Sequence, residues 1–180
     1  MVRCFIAILV PERVKDEMVS LQKKIANLPL KCKFVERENL HISLSFLGEL
    51  EEVKIKDVNE KLRIICQKIP KFKIITDNVK MIPNEHFIRV LAVDIYKNEI
   101  LEKLQSEIKK QIGGATSPPH LTLCRVKKIM DKISVINQLK GYLIKENIFD
   151  VEFIYLMKSV LKRTGPIYSV IEKFNLHDLS

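Results

Sequence analysis

The chain has 180 residues, 47% of them apolar and 29% charged, with only 5 glycines. That balance excludes a disordered or fibrous chain and is enough for one globular domain, or for two half-domains sharing a core. Lysine and arginine outnumber aspartate and glutamate by 31 to 22, a formal charge of +9, so the summed field attracts polyanions such as nucleic acid, although a lysine-rich thermophile surface looks the same.

The first apolar segment, residues 3–10, predicts a buried strand. It meets Pro11-Glu12-Arg13 with no small-residue cleavage site, so it does not have the form of a secretory leader. Val14, Met18, Leu21, Ile25 and Leu28 recur at helical spacing and predict a helix over 12–28. A strand is expected over 40–47. A second helix over 52–69 carries Val53, Ile55, Val58, Leu62, Ile65 and Ile69 and is stopped by Pro70. Strands over 72–82 and 87–95 flank the breaker Pro83-Asn84-Glu85.

Ile100, Leu101, Leu104, Ile108 and Ile112 predict a third helix over 97–112, ended by Gly113-Gly114. A strand over 120–126, a helix over 132–144, one long strand over 149–161 and a last strand over 166–175 complete the series. The turn between the last two is Lys162-Arg163-Thr164-Gly165-Pro166. Read from residue 3 and again from residue 87, the order is the same: strand, helix, histidine-bearing strand, helix, strand, strand. The economical reading is a single α+β domain over 1–180, a bilobal pseudo-twofold duplication with two antiparallel sheets facing a central cleft and helices outside. A cleft built within one chain predicts a monomer.

Strand alternation gives the two histidine segments their chemistry. His41, Ser43 and Ser45 point to one face, and Ile42, Leu44 and Phe46 to the other. His120, Thr122 and Cys124 likewise oppose Leu121 and Leu123. Each strand then buries an aliphatic row and offers an imidazole and a hydroxyl, two residues apart, to the cleft. An imidazole with a pKa of about 6.5 can be neutral or charged near neutral pH. One can take a proton from water while the other gives one to a departing oxygen, and the hydroxyls can hold the charge on a phosphoryl group. A metal is not needed for this, no cofactor is expected, and the histidines lack a local ligand spacing.

At these residues the sequence resembles the two-histidine (2H) phosphoesterase superfamily, and within it the archaeal and bacterial RNA 2',3'-cyclic phosphodiesterases once described as 2'-5' RNA ligases. The matching segments are Arg3-Cys4-Phe5-Ile6-Ala7-Ile8, Glu38-Asn39-Leu40-His41-Ile42-Ser43-Leu44-Ser45-Phe46-Leu47-Gly48-Glu49, Pro119-His120-Leu121-Thr122-Leu123-Cys124-Arg125, and Ser159-Val160-Leu161 with Gly165-Pro166-Ile167-Tyr168. The resemblance implies a bilobal fold, hydrolysis of a 2',3'-cyclic phosphate at an RNA end to a 2'-phosphate, and slow reversible 2'-5' joining. It implies His41 as general acid on the 3'-oxygen and His120 as the base that activates water. It also offers Arg125 as a phosphate contact, although simple alternation puts Arg125 on the face opposite His120, so a bulge or the strand's end has to redirect it. Phe5 and Tyr168 are candidates for stacking a base. The chain departs from the family in having Ser45 where a basic residue is common and in having no tryptophan.

Other features read as ordinary. His86 sits in a turn, and His177-Asp178 lies near the C-terminus. Cys124 is a packing residue rather than a nucleophile. The four cysteines are scattered without a Cys-x-x-Cys pair, which suits free thiols in the cytoplasm. No apolar run is long enough to span a bilayer. The basic groups Lys31/Lys33, Lys109/Lys110, Lys127/Lys128 and Lys158/Lys162/Arg163 could follow RNA beyond the cleft. The expected partner is an RNA with a 2',3'-cyclic end or a small cyclic nucleotide. The alternatives are an RNA- or nucleotide-binding module with little turnover, or the same chemistry on another cyclic or 2'-5'-linked nucleotide.

Overall fold

The structure is a computed structural model and describes residues 1–142, 146–163 and 165–178. Strand β1 (Val2–Leu9) leads to helix α1 (Glu12–Ile25), β2 (Leu30–Phe34), a 3-10 turn (Arg37–Asn39), β3 (His41–Leu50) and α2 (Glu52–Cys66). Then follow β4 (Phe72–Asn84), β5 (Phe87–Ile95), α3 (Glu99–Gln111), β6 (His120–Ile129), α4 (Lys132–Lys140), β7 (Ile148–Val151), β8 (Phe153–Leu161) and β9 (Pro166–Asn175).

The helices form where apolar residues repeat every three or four positions. Val14, Met18, Leu21 and Ile25 bury one face of α1, and Leu101, Leu104 and Ile108 one face of α3. Asn98 and Asp131 cap α3 and α4, each side chain accepting from a backbone N–H three residues on, at 2.9 and 3.0 Å. Pro70 does not set the end of α2, which stops at Cys66. Of the helix expected over 132–144, residues 143 and 144 lie outside the described residues, as does Thr164 of the final turn.

Two elements differ in kind from expectation. The stretch 149–161 is not one strand. Phe149 and Val151 are buried at odd positions, Ile154 and Leu156 at even ones, and Glu152 takes up the change of face. There the chain leaves β4, which β7 pairs, and joins β1, which β8 pairs. The second difference is β2, which has no counterpart in the sequence reading. It alternates Leu30, Lys31, Cys32, Lys33, Phe34 and pairs only with β6.

Nine strands among the described residues form one antiparallel path, β7-β4-β5-β6-β3-β1-β8-β9, with β2 beside β6. The two expected sheets are therefore joined. The join is narrow: β3 and β6 meet only at Ile42 and Leu121. The spatial groups are not the sequence halves either, since β8 and β9 return to β1 while β4 pairs with β5. The two central strands share the same burial order, residue by residue, from His41 and from His120.

Each central strand carries an extra residue at the same place, and β3 has a second at Leu47, between the pairing of Cys4 with Gly48 and that of Phe5 with Phe46. Ile6 opposes Ser45 and Ala7 opposes Ser43, so Leu44 is the added residue of β3. Leu91 opposes Cys124 and Ala92 opposes Thr122, so Leu123 is the added residue of β6. A bulge turns the following side chains to the opposite face and leaves ladder groups to be satisfied elsewhere. Glutamines from the helices help to satisfy them. Gln22 on α1 donates to Leu123 O at 2.9 Å and Val35 O at 2.8 Å. Gln105 on α3 donates to Leu44 O at 3.2 Å and Ser117 O at 3.1 Å.

The loop after α3 braces the β3 bulge. Ser45 Oγ donates to Gly113 O at 2.9 Å, and Phe46 and Ala115 exchange two backbone hydrogen bonds at 2.9 Å. Gly114 holds φ +92°, and a Cβ there would lie 2.3 Å from Ser45 Oγ and 2.7 Å from Phe46 O. Both the backbone and the space require glycine. Gly114→Ala is expected to cost about 1 to 3 kcal/mol of stability from the backbone alone, read as a lower denaturation midpoint. A midpoint equal to the parent's would show that this loop does not brace the bulge.

Candidate active site

His41 opens β3 immediately after the 3-10 turn, and that turn fixes its ring. Its Nδ1 is 2.6 Å from Asn39 O, a carbonyl that can only accept, so Nδ1 carries a proton. Nε2 faces Ser43 Oγ at 2.9 Å, and the hydroxyl donates to it when the ring is neutral. Asn39 is itself held, its Nδ2 donating to Pro166 O at 2.9 Å and to Glu36 Oε2 at 3.3 Å. His120 is built in the same way, with Nδ1 donating to Pro118 O at 2.8 Å. Both rings are thus anchored by the carbonyl two residues upstream, which leaves each Nε2 for chemistry.

Because β3 and β6 run antiparallel through Ile42 and Leu121, extending that register by one residue sets His41 beside Thr122 and Ser43 beside His120. Each imidazole has the other strand's hydroxyl as its neighbour. A cavity opens over this point, with His41, Ser43, Thr122 and Arg125 in its wall together with Phe46 and Tyr168. His120 is not among the residues lining that cavity, but its charge acts on His41.

The bulges decide what else faces the cavity. Arg125, on the far face by simple alternation, is exposed and lines it. Phe46, expected on the buried face, is 50% exposed and also lines it. Ser45 and Cys124, expected toward the cleft, are buried instead. The Cys124 thiol is pushed up by burial and by neighbouring Cys32, which suits packing and not nucleophilic attack.

Phe5 needs a correction as well. It is 3% exposed, with its ring 5.0 Å from His41 and 4.8 Å from Tyr168, centroid to centroid. A ring so enclosed has no free face for a base and forms the floor beneath His41. Tyr168 is half-buried, meets His41 edge-on at 5.3 Å and lines the cavity. Burial raises its phenol pKa, while the charges of Arg125 and Arg3 pull it down.

Lys33, singled out in sequence only as part of a basic group, lines the cavity with Phe34, Val35 and Glu36, which the sequence reading did not assign; all four come from the unpredicted β2 and its exit. The alternation across Leu30–Phe34 was the available signal. Asn39 was quoted within a motif, but its carbonyl's role belongs to the folded turn. His86 is exposed in the β4–β5 turn, as its sequence context suggests. No three His, Cys, Asp or Glu side chains among the described residues cluster to hold a metal ion, and no described helix is long and apolar enough to cross a membrane.

A mixed α+β chain with a curled antiparallel sheet and paired His-x-Ser/Thr strands has the architecture of a two-histidine phosphoesterase. The chain belongs to that superfamily through the LigT like Phosphoesterase family, which it matches over residues 8–92. It is 33% identical to the RNA 2',3'-cyclic phosphodiesterase of Methanocaldococcus jannaschii, over 96% of this chain and 99% of the relative. It is 31% identical to the protein of the same name from Aquifex aeolicus, over 97% of each chain. Its fold matches the crystal structure of TT0787 of Thermus thermophilus with a TM-score of 0.81 and 25% identity, covering 98% of both chains.

Burial lowers the pKa of His41, its hydrogen bond to Asn39 O offsets part of this, and the charge of His120 lowers it further. The folded state therefore takes up this proton at a lower pH than the unfolded state does. Its contribution to stability is complete above the ordinary histidine value of about 6.5 and is lost as pH falls through the depressed value. A ring-proton NMR titration should place the His41 midpoint below about 6.5, and inorganic phosphate should move it up. A midpoint above that ordinary value in the free protein would contradict the burial argument.

Proposed function

We propose that this phosphoesterase opens the 2',3'-cyclic phosphate at an RNA 3' end to a 2'-phosphate, and that residues 1–180 act as a single domain whose two intertwined lobes each supply one histidine. The observation that supports the reading is the pairing of β3 with β6 at Ile42 and Leu121, each next to a histidine whose ring is anchored by the carbonyl two residues upstream. Water attacks phosphorus in line with the departing 3'-oxygen. One imidazole takes the water's proton and the other protonates the leaving oxygen. Ser43 and Thr122 donate to the non-bridging oxygens, and Arg125 adds a charge-assisted contact. No step requires a metal. With a 5'-hydroxyl in place of water as the nucleophile, the same displacement of the 3'-oxygen joins ends through a 2'-5' bond.

The resemblance makes His41 the acid and His120 the base. Burial disfavours the His41 imidazolium in the free protein, so in this assignment the substrate's phosphate holds the proton that His41 delivers. Phe46, with half its surface open beside the phosphate site, is the ring placed to stack a base. Tyr168 borders the same space. The basic surface draws the RNA from solution in the cytoplasm.

With a chelator present, His41→Ala and His120→Ala are each expected to lower kcat by about 10²- to 10⁴-fold on a 2',3'-cyclic nucleotide. Ser43→Ala and Thr122→Ala should cost about 10²- to 10³-fold. The pH profile should be bell-shaped, with the alkaline limb of kcat at a higher pH than that of kcat/KM, because the bound phosphate raises the His41 pKa. Wild-type turnover in either histidine variant would end the acid/base reading, and an unmoved alkaline limb would end the acid role of His41.

A further inference from the structure

Beside the cavity, β2 and the far half of β6 form a two-stranded ribbon with a cationic outer face. Lys33 opposes Arg125 and Lys31 opposes Lys128, with Lys127 as the unmatched residue between the two registers. All five side chains are exposed. The intervening residues point the other way, with Cys32, Phe34, Val126 and Ile129 packed against the core. The ribbon therefore has one charged face by strand alternation and one apolar face that fixes it. Its inner rung, Lys33 and Arg125, lines the cavity over the histidines.

Lysines on an edge strand also discourage pairing with other chains, and for β2 alone that reading would suffice. It does not account for the cations of β6 in the same ladder. Nor are those charges neutralised locally: Lys31, Arg125, Lys127 and Lys128 form no ion pair among the described residues, whereas Lys54, Lys61, Lys71, Lys80 and Lys140 each hold an acidic partner. The acidic residue in the cavity wall, Glu36, sits at the exit of β2 and binds Asn39. Two residues along a strand span about 6.6 Å, comparable to the spacing of successive phosphates along an extended RNA strand.

We propose that this ribbon is the binding track for the RNA backbone upstream of the reacting end. The inference rests on the phosphodiesterase reading above. A 2',3'-cyclic phosphate terminates its strand, so the rest of the RNA can leave the cavity only in the 5' direction. The rung of Lys33 and Arg125 meets the terminal nucleotide, and the rung of Lys31 with Lys127 and Lys128 holds the next phosphates. The contacts are to backbone and are indifferent to sequence. They make an oligonucleotide a better substrate than a mononucleotide with the same reacting group.

The test compares a ten-nucleotide RNA ending in a 2',3'-cyclic phosphate with a 2',3'-cyclic mononucleotide, on the full chain and on Lys31→Ser/Lys127→Ser/Lys128→Ser. A charge-matched comparison is Lys54→Ser/Lys56→Ser/Lys61→Ser on α2. Losing three phosphate contacts should make the slope of log(kcat/KM) against log salt shallower by about 2 for the oligonucleotide. The ratio of oligonucleotide to mononucleotide kcat/KM should fall only in the ribbon variant. An unchanged slope, an equal loss on both substrates, or an equal effect from the α2 variant would overturn the track. If the parent turns over neither substrate, the functional reading fails instead. Fluorescence anisotropy with the corresponding 3'-hydroxyl RNA then decides the track by the same slope criterion.

Discussion

The site depends on two bulges at matching places in the central strands. Leu44 and Leu123 are each the extra residue of a bulged strand, and each carbonyl is met by a glutamine from a helix on the covered face of the sheet. Leu123 O also accepts from Val35 N at 2.9 Å, and the two amides tie each bulge to the helix above it at a typical net gain of about 1 kcal/mol per hydrogen bond. Before each bulge, alternation presents histidine and hydroxyl to the cleft. After it, the face changes, and Phe46 and Arg125 appear where simple alternation would have put Ser45 and Cys124. The one-residue insertion lets a single strand present both a histidine and, five residues on, Phe46 or Arg125 to the same cavity side, the acid/base group and the substrate contact of the proposed mechanism.

Charge and burial act against each other around His41. Phe5 and Tyr168 enclose its ring and remove it from water, which disfavours the charged form. The Asn39 carbonyl fixes the tautomer and returns part of that cost. A phosphate monoanion entering the cavity reverses the balance, since it favours protonated imidazole. In the proposed mechanism the chemistry is then switched on by the substrate's own charge. The basic surface contributes attraction at long range, and the enclosed ring sets the proton inventory at short range.

Much of this was readable in the chain because it rests on periodicity. His41 and Ser43 share a face, as do His120 and Thr122, by alternation alone, and the helical spacing of Val14 to Ile25 or Leu101 to Ile108 needs no tertiary information. The failures have a common cause. A bulge leaves no local signature, so Phe46 was assigned to the core and Ser45 to the cleft. Phe5 stood as a candidate for stacking beside the alternative of a core ring, because its neighbours across β3 and β9 are set by sheet order. The strand β2 was missed because its two lysines and short length resemble a polar connection, and the cavity wall from Phe34 to Glu36 went with it. The stretch 149–161 kept its hydrophobicity while changing its face and its partner at Glu152, a topological event with only a shift of parity to mark it.

The central claim is that two opposed imidazoles direct water in line with the 3'-oxygen of a cyclic phosphate. Phosphorus-31 NMR of a short RNA ending in a 2',3'-cyclic phosphate, incubated with the protein and a chelator, tests it most directly. The expected result is loss of the cyclic phosphate signal and growth of a 2'-monophosphate signal alone. A 3'-monophosphate product, or a cyclic end that survives with properly folded protein, would contradict the account.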